Sequence, residues 1–159
     1  MPAWRVCKSK FEAIAFSGIG TTDYPKRWNL LRKKVVYCAD SRSQACLEVL
    51  AHVSRKRTLS RAKFVAIPVD LPDALIFRPS RLPQGWGAIP NTEVSQRAGS
   101  RFSRAHAVVR LPSVVVRGEF VIVLNPLHPN FSKVSIGKPE PLVFDARVLS
   151  GPEKPSSSP

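Results

Sequence analysis

An α+β fold is what this sequence predicts: a single compact domain built on twisted, mainly antiparallel sheets with few helices. Short β-branched or aliphatic runs bounded by proline, glycine and asparagine recur along the chain, and one stretch alone carries a clear helical period. The 15 prolines among 159 residues work against long regular elements of either kind. A chain of this length buries one core and seldom two, so one sheet system with a few helices against it is the expected outcome.

In chain order, Val35–Ala39 is the first strand-like run. The helix follows. Asp40 or Ser41 can serve as N-cap, and from Ala45 to Val53 the residues Ala45, Leu47, Val49, Leu50 and Val53 are apolar around most of the circumference. Gln44, Glu48 and His52 stand at i, i+4 and i+8, so they form one narrow polar stripe with Glu48 in its middle. Phe64–Val69, Ala74–Phe77, Ala107–Leu111, Val114–Val116, Phe120–Leu124 and Leu142–Phe144 then read as strands. Arg78–Gln96 shows neither period and holds Pro79, Pro83, Gly85, Gly87 and Pro90, the composition of a loop region crossing a cleft. Residues 150–159 are Ser/Pro-rich and read as a disordered tail, which leaves 1–149 as the domain.

Composition removes several function classes. No stretch approaches the roughly 20 apolar residues of a membrane helix, and the charged start lacks the apolar run of a secretory signal, so a cytoplasmic protein without a membrane role is expected. Cys7, Cys38 and Cys46 are too few and too scattered for a disulfide framework or a zinc site, so free thiols and no metal are expected. Phosphate-binding loops of the G-x-x-x-x-G-K-[ST] type, G-x-S-x-G elbows, H-E-x-x-H helices and G-x-G-x-x-G dinucleotide fingerprints are all missing from the sequence. A formal charge of +14 favours polyanionic partners, but its basic residues are scattered along the chain and make no single arm.

An ordered set of polar residues at the ends of the predicted strands remains: Arg27-Trp28-Asn29, Tyr37, Glu48, Pro112-Ser113 and Asn125-Pro126-Leu127-His128-Pro129. Together with Trp4-Arg5, Phe16-Ser17-Gly18-Ile19-Gly20, Ala45-Cys46-Leu47-Glu48-Val49-Leu50 and Phe144-Asp145-Ala146-Arg147, this order resembles the RES-domain family, named for an arginine, a glutamate and a serine. The resemblance runs from Trp4 to about Leu149. It implies a fold similar to the ADP-ribosyltransferase toxins, NAD⁺ as substrate, and a helix-turn-helix antitoxin of the Xre kind as partner. A homo-oligomer within the antitoxin complex is left open. Pro25-Lys26 stands where the family usually has two glycines, and Leu30 to Lys34 where it has a Pro-Gly turn.

Breaking the nicotinamide–ribose bond creates an oxocarbenium-like centre, which a carboxylate beside the ribose stabilises. Glu48 suits that role, Arg27 suits a bidentate grip on pyrophosphate or ribose oxygens, and Ser113 can offer a hydroxyl. Glu48, Arg27 and Ser113 are thus the expected catalytic set, with Arg27, Tyr37, Ser113 and Asn125 expected to hold the dinucleotide. The plainer readings stand beside these: a solvated helix stripe for Glu48, and turn residues for Ser113 and Asn125. Two competing functions follow from the same sequence, a basic nucleic-acid-binding module driven by the net charge and a catalytically inactive relative that keeps only its partner contacts.

Overall fold

The computed structural model describes residues 1–52 and 62–149. Its strands are β1 (Pro2–Lys8), β2 (Val36–Ala39), β3 (Phe64–Asp70), β4 (Ile76–Phe77), β5 (Val108–Pro112), β6 (Phe120–Leu124), β7 (Ser135–Ile136) and β8 (Glu140–Leu142). They form one curled sheet in the order β4-β5-β6-β2-β1-β3-β7, with β8 also on β3, and every pairing except β4 with β5 is antiparallel. The expected class and sheet character hold.

Two long ladders make up this sheet. β1 pairs with β3 along its whole length, from Pro2 opposite Asp70 to Lys8 opposite Phe64. β2 pairs with β6 from Val36 opposite Leu124 to Ala39 opposite Val121, and β6 pairs in turn with β5. The ladders meet at a single register pair, Trp4 opposite Ala39. Beyond it β1 and β2 separate, and the Arg5 guanidinium reaches across to donate to the Tyr37 carbonyl at 2.9 Å.

The predicted helix is α1 (Arg42–Ala51), capped by Ser41, whose hydroxyl accepts from the Gln44 amide at 3.1 Å. It starts where one of the two expected caps, Ser41, places it, and Val53 lies outside the described residues. Ala45, Cys46, Val49 and Leu50 pack on Val6, Ala39, Phe64 and Ala66 and so press α1 onto the sheet beside the splayed strands. The helix is not apolar around most of its circumference in the way expected: Leu47 faces solvent, while Gln44 of the polar stripe is only 2% exposed.

A second helix, α2 (Glu93–Ala105), begins inside the segment expected to be loop throughout. Its buried face is Ser95, Ala98, Gly99, Ser100, Phe102 and Ser103. Small polar residues carry no apolar period, which is why the pattern did not reveal it. They are small for a reason: a Cβ on Gly99 would meet the Trp28 backbone, with Trp28 Cα 2.7 Å away. A third, short helix α3 covers Ala146–Leu149.

Three further corrections concern strands. β1 was not anticipated, because Ala3 and Val6 are buried without strict alternation. Val114–Val116 is a bend rather than a strand, since Ser113 turns the chain there and Gly118 takes a φ of +90°. The last predicted strand lies earlier, at β8, and Phe144 instead packs edge-on against Phe64. Residues 78–92 carry no regular structure, as expected of the loop region. No helix among the described residues is long and apolar enough to cross a membrane. The tail at 150–159 lies outside the described residues.

Candidate functional site

A cleft of about 650 Å³ opens where β1 and β2 separate. Both strands line it, α1 contributes Ala45, Glu48 and Val49, and the turn after β5 contributes Pro112 to Val115. Residues 25–28 form another wall, and Ile89 and Asn91 of the irregular segment stand at its edge. Arg27, Tyr37, Glu48 and Ser113, far apart in sequence, therefore border one space.

Glu48 is fixed through one of its two oxygens. Oε1 accepts the Ser113 hydroxyl at 2.6 Å and the Gln44 side-chain amide at 3.0 Å. Oε2 has no hydrogen-bond partner among the described residues. The direction of the serine bond follows from its surroundings, because Ser113 Oγ accepts the backbone amides of Val115 at 3.0 Å and Val116 at 3.3 Å, which leaves its own proton for the carboxylate. The turn bonds and the bond to Glu48 thus converge on one atom, Ser113 Oγ. His52 lies one turn beyond Glu48, its ring Nδ1 2.7 Å from the Glu48 carbonyl oxygen.

Arg27 stands on a rigid support. Trp28 is buried and stacks on Trp86 with ring centres 5.5 Å apart. Asn29, also buried, accepts the Tyr37 hydroxyl at 2.9 Å and the Lys26 amide at 3.2 Å, while Tyr37 accepts the Trp28 amide at 3.0 Å. From this base Arg27 Nη1 donates to the Trp86 and Ala88 carbonyls at 2.8 and 2.9 Å, tying residues 86–88 to the cleft. Its Nε and Nη2 have no partner among the described residues. Burial lowers the Arg27 pKa, against the pull of Glu48 and Tyr37 that raises it. Burial also raises the Tyr37 phenol well above its ordinary value, as suits a hydroxyl committed to neutral hydrogen bonds.

Lys26, noted in the sequence only as a replacement for glycine, faces the same space. Its ammonium sits 5.3 Å from the Tyr37 ring centre and forms no ion pair among the described residues. Burial, and then Arg5, lower its pKa, while Glu48 pulls it back up. Arg5, Lys26 and Arg27 thus share a largely apolar cleft with the Glu48 carboxylate, an arrangement suited to a ligand that carries charge of both signs. No group of three or more His, Cys, Asp or Glu suited to a metal occurs among the described residues.

Asn125 stands apart from the other four residues. It does not line the cleft: its amide donates to the Ser103 carbonyl at 2.8 Å and its oxygen accepts from Leu127 at 3.0 Å, so it starts the turn after β6 and ties it to α2. Gln44 was passed over although it lies on the same stripe as Glu48, where the i, i+4 spacing already placed it within reach.

The chain matches the RES domain family over residues 2–145. It is 32% identical to the Prs ADP-ribosylating toxin of Sphingobium sp. (strain YBL2), over 92% of this chain and 95% of that protein. With Toxin Res of Photorhabdus laumondii subsp. laumondii it shares 33% identity over 84% of this chain and 86% of the other. Among solved structures, the crystal structure of the M. tuberculosis MbcT-MbcA toxin-antitoxin complex contains a chain of similar fold, with a TM-score of 0.66 at 18% identity, covering 89% of this chain and 83% of that one.

Proposed function

Because this chain belongs to the RES domain family, we propose that it is the toxin of a toxin–antitoxin pair, an enzyme that breaks the nicotinamide–ribose bond of NAD⁺. The observation that supports this most is the arrangement of Glu48, whose Oε1 is held by Ser113 and Gln44 while Oε2 is left without a partner among the described residues, in a largely apolar cleft that also holds Arg5, Lys26 and Arg27. In this reading Arg27, with Nε and Nη2 unspent, holds the pyrophosphate, and Tyr37 offers its ring to the nicotinamide end. The bond between ribose C1′ and the nicotinamide nitrogen breaks with its electron pair going to the nitrogen. Positive charge passes from the pyridinium to the ribose, where Glu48 Oε2 stabilises it. Nicotinamide leaves neutral, and the ADP-ribosyl group passes to water, phosphate or a protein side chain. Ser113 serves through Glu48, since its proton is committed to that carboxylate. The partner in this reading is a helix-turn-helix antitoxin of the Xre kind, consistent with a fold relative captured in a toxin–antitoxin complex.

The test is incubation of the purified protein with NAD⁺, with and without inorganic phosphate, followed by identification of the products. Nicotinamide release is expected, and Glu48→Gln is expected to lower it by roughly a hundred- to a thousand-fold, the usual cost of one electrostatic contact to a transition state. The glutamine oxygen can keep both bonds at Oε1, so the fold stays intact. Normal turnover by this variant eliminates Glu48 as the catalytic carboxylate. A DNA-binding titration across salt concentrations, run alongside, decides the nucleic-acid alternative.

A further inference from the structure

Gln44 stands out as a buried polar side chain that the mechanism above does not use. It is 2% exposed, lies behind Glu48 on α1, and is not part of the cleft lining. Its Nε2 donates to Glu48 Oε1 at 3.0 Å. Its own Oε1 is buried with no donor among the described residues. Rotating the amide would not cure this, because it would set the oxygen against the carboxylate. An unmatched buried acceptor costs stability, and an apolar side chain of similar length would avoid that cost. Capping the helix does not need Gln44 either, as Ser41 takes its backbone amide, not its side chain. What remains for the side chain to do is hold Glu48.

We propose that Gln44 is a positioning residue: with Ser113 it pins Oε1 from a second direction, fixing the carboxylate plane so that Oε2 faces the cleft. This rests on the reading of Glu48 as the carboxylate that stabilises the ribose cation. One bond to Oε1 leaves the carboxylate free to turn about it, whereas two donors from different elements, α1 and the turn after β5, do not. Gln44 therefore acts on the rate through Glu48 and touches no substrate.

The experiment measures nicotinamide release and thermal unfolding for Gln44→Leu in the wild-type and Glu48→Gln backgrounds. In the wild-type background kcat is expected to fall by about tenfold, the worth of one hydrogen bond, with KM within roughly twofold and the melting temperature unchanged or higher. In the Glu48→Gln background no further fall is expected, because the group that Gln44 serves is already gone. Equal losses in both backgrounds, or an unchanged kcat, overturn the proposal. A melting-temperature cycle with Glu48→Ala supplies a readout that does not depend on NAD⁺: non-additive shifts support the link between the two side chains, and additive shifts overturn it. If wild-type protein releases no nicotinamide, the functional reading fails on that result, and the melting cycle by itself decides whether Gln44 holds the carboxylate.

Discussion

Replacing Ser113 by alanine removes one oxygen that serves three partners. The hydroxyl donates to Glu48 Oε1 at 2.6 Å and accepts the amides of Val115 and Val116, in a site only 5% exposed. A hydrogen bond to a charged group is worth about 1.5–3 kcal/mol, and the two amides lose their acceptor as well. The expected loss of stability is therefore about 2–3 kcal/mol, a fall in melting temperature of roughly 4–12 °C for a chain of this size. The same change loosens Glu48, which keeps only Gln44, so nicotinamide release is expected to fall by about ten- to a hundred-fold per folded molecule. Thermal unfolding and initial-rate measurements on one preparation separate the two effects. Alanine protein with a lowered melting temperature but full turnover would show that Ser113 only shapes the turn, and would refute its role beside Glu48.

Gly99→Ala drives a methyl group into the Trp28 backbone on a helix that cannot retreat, so a loss of about 2–3 kcal/mol is expected, together with weaker activity because Arg27 adjoins Trp28; denaturant unfolding at the wild-type midpoint checks it. Arg27→Ala releases the carbonyls of Trp86 and Ala88, and amide exchange in residues 86–88 is expected to accelerate while β5 and β6 keep their protection. Lys26 gives a pH signature. Its pKa is lowered by burial, so the folded state binds fewer protons than the unfolded state between that lowered value and the ordinary 10.5. The penalty for holding the ammonium is full below the lowered pKa and fades as pH rises through it. Lys26→Met is accordingly expected to melt higher than wild type near neutrality, with the gap closing toward pH 10, and a gap that widens on alkalinisation would reverse the assignment.

Four of the five residues singled out in the sequence border one cleft, and the reasons why some features were legible and others were not are physical. The polar stripe by itself read as a solvated helix face, and it was the family resemblance that singled out Glu48, which does border the cleft while Gln44 of the same stripe lies behind it. The order of Arg27, Tyr37, Glu48 and Ser113 carried the rest, and these residues do line one space. Asn125 lies apart from the cleft, and an asparagine before proline looks the same in sequence whether it meets a ligand or its own turn. α2 was hidden because its buried face includes Ser95, Gly99, Ser100 and Ser103, where Gly99 lets the Trp28 backbone approach and Ser100 Oγ accepts the Leu30 amide at 2.9 Å. Three consecutive valines read as a strand, yet their chain direction is set by Ser113 and Gly118 at its flanks. Local propensity loses to such contacts, which single-sequence patterns do not contain.

The single register pair between β1 and β2 gives the molecule an uneven stiffness. Each ladder is braced along its own length, by β3 on one side and β6 on the other, and resists deformation. Between them, past Trp4 and Ala39, the only stitch across the gap among the described residues is the Arg5 side chain on the Tyr37 carbonyl. The width of the opening is therefore set by two things, that side chain and α1, which packs on Val6 of one ladder and Ala39 of the other.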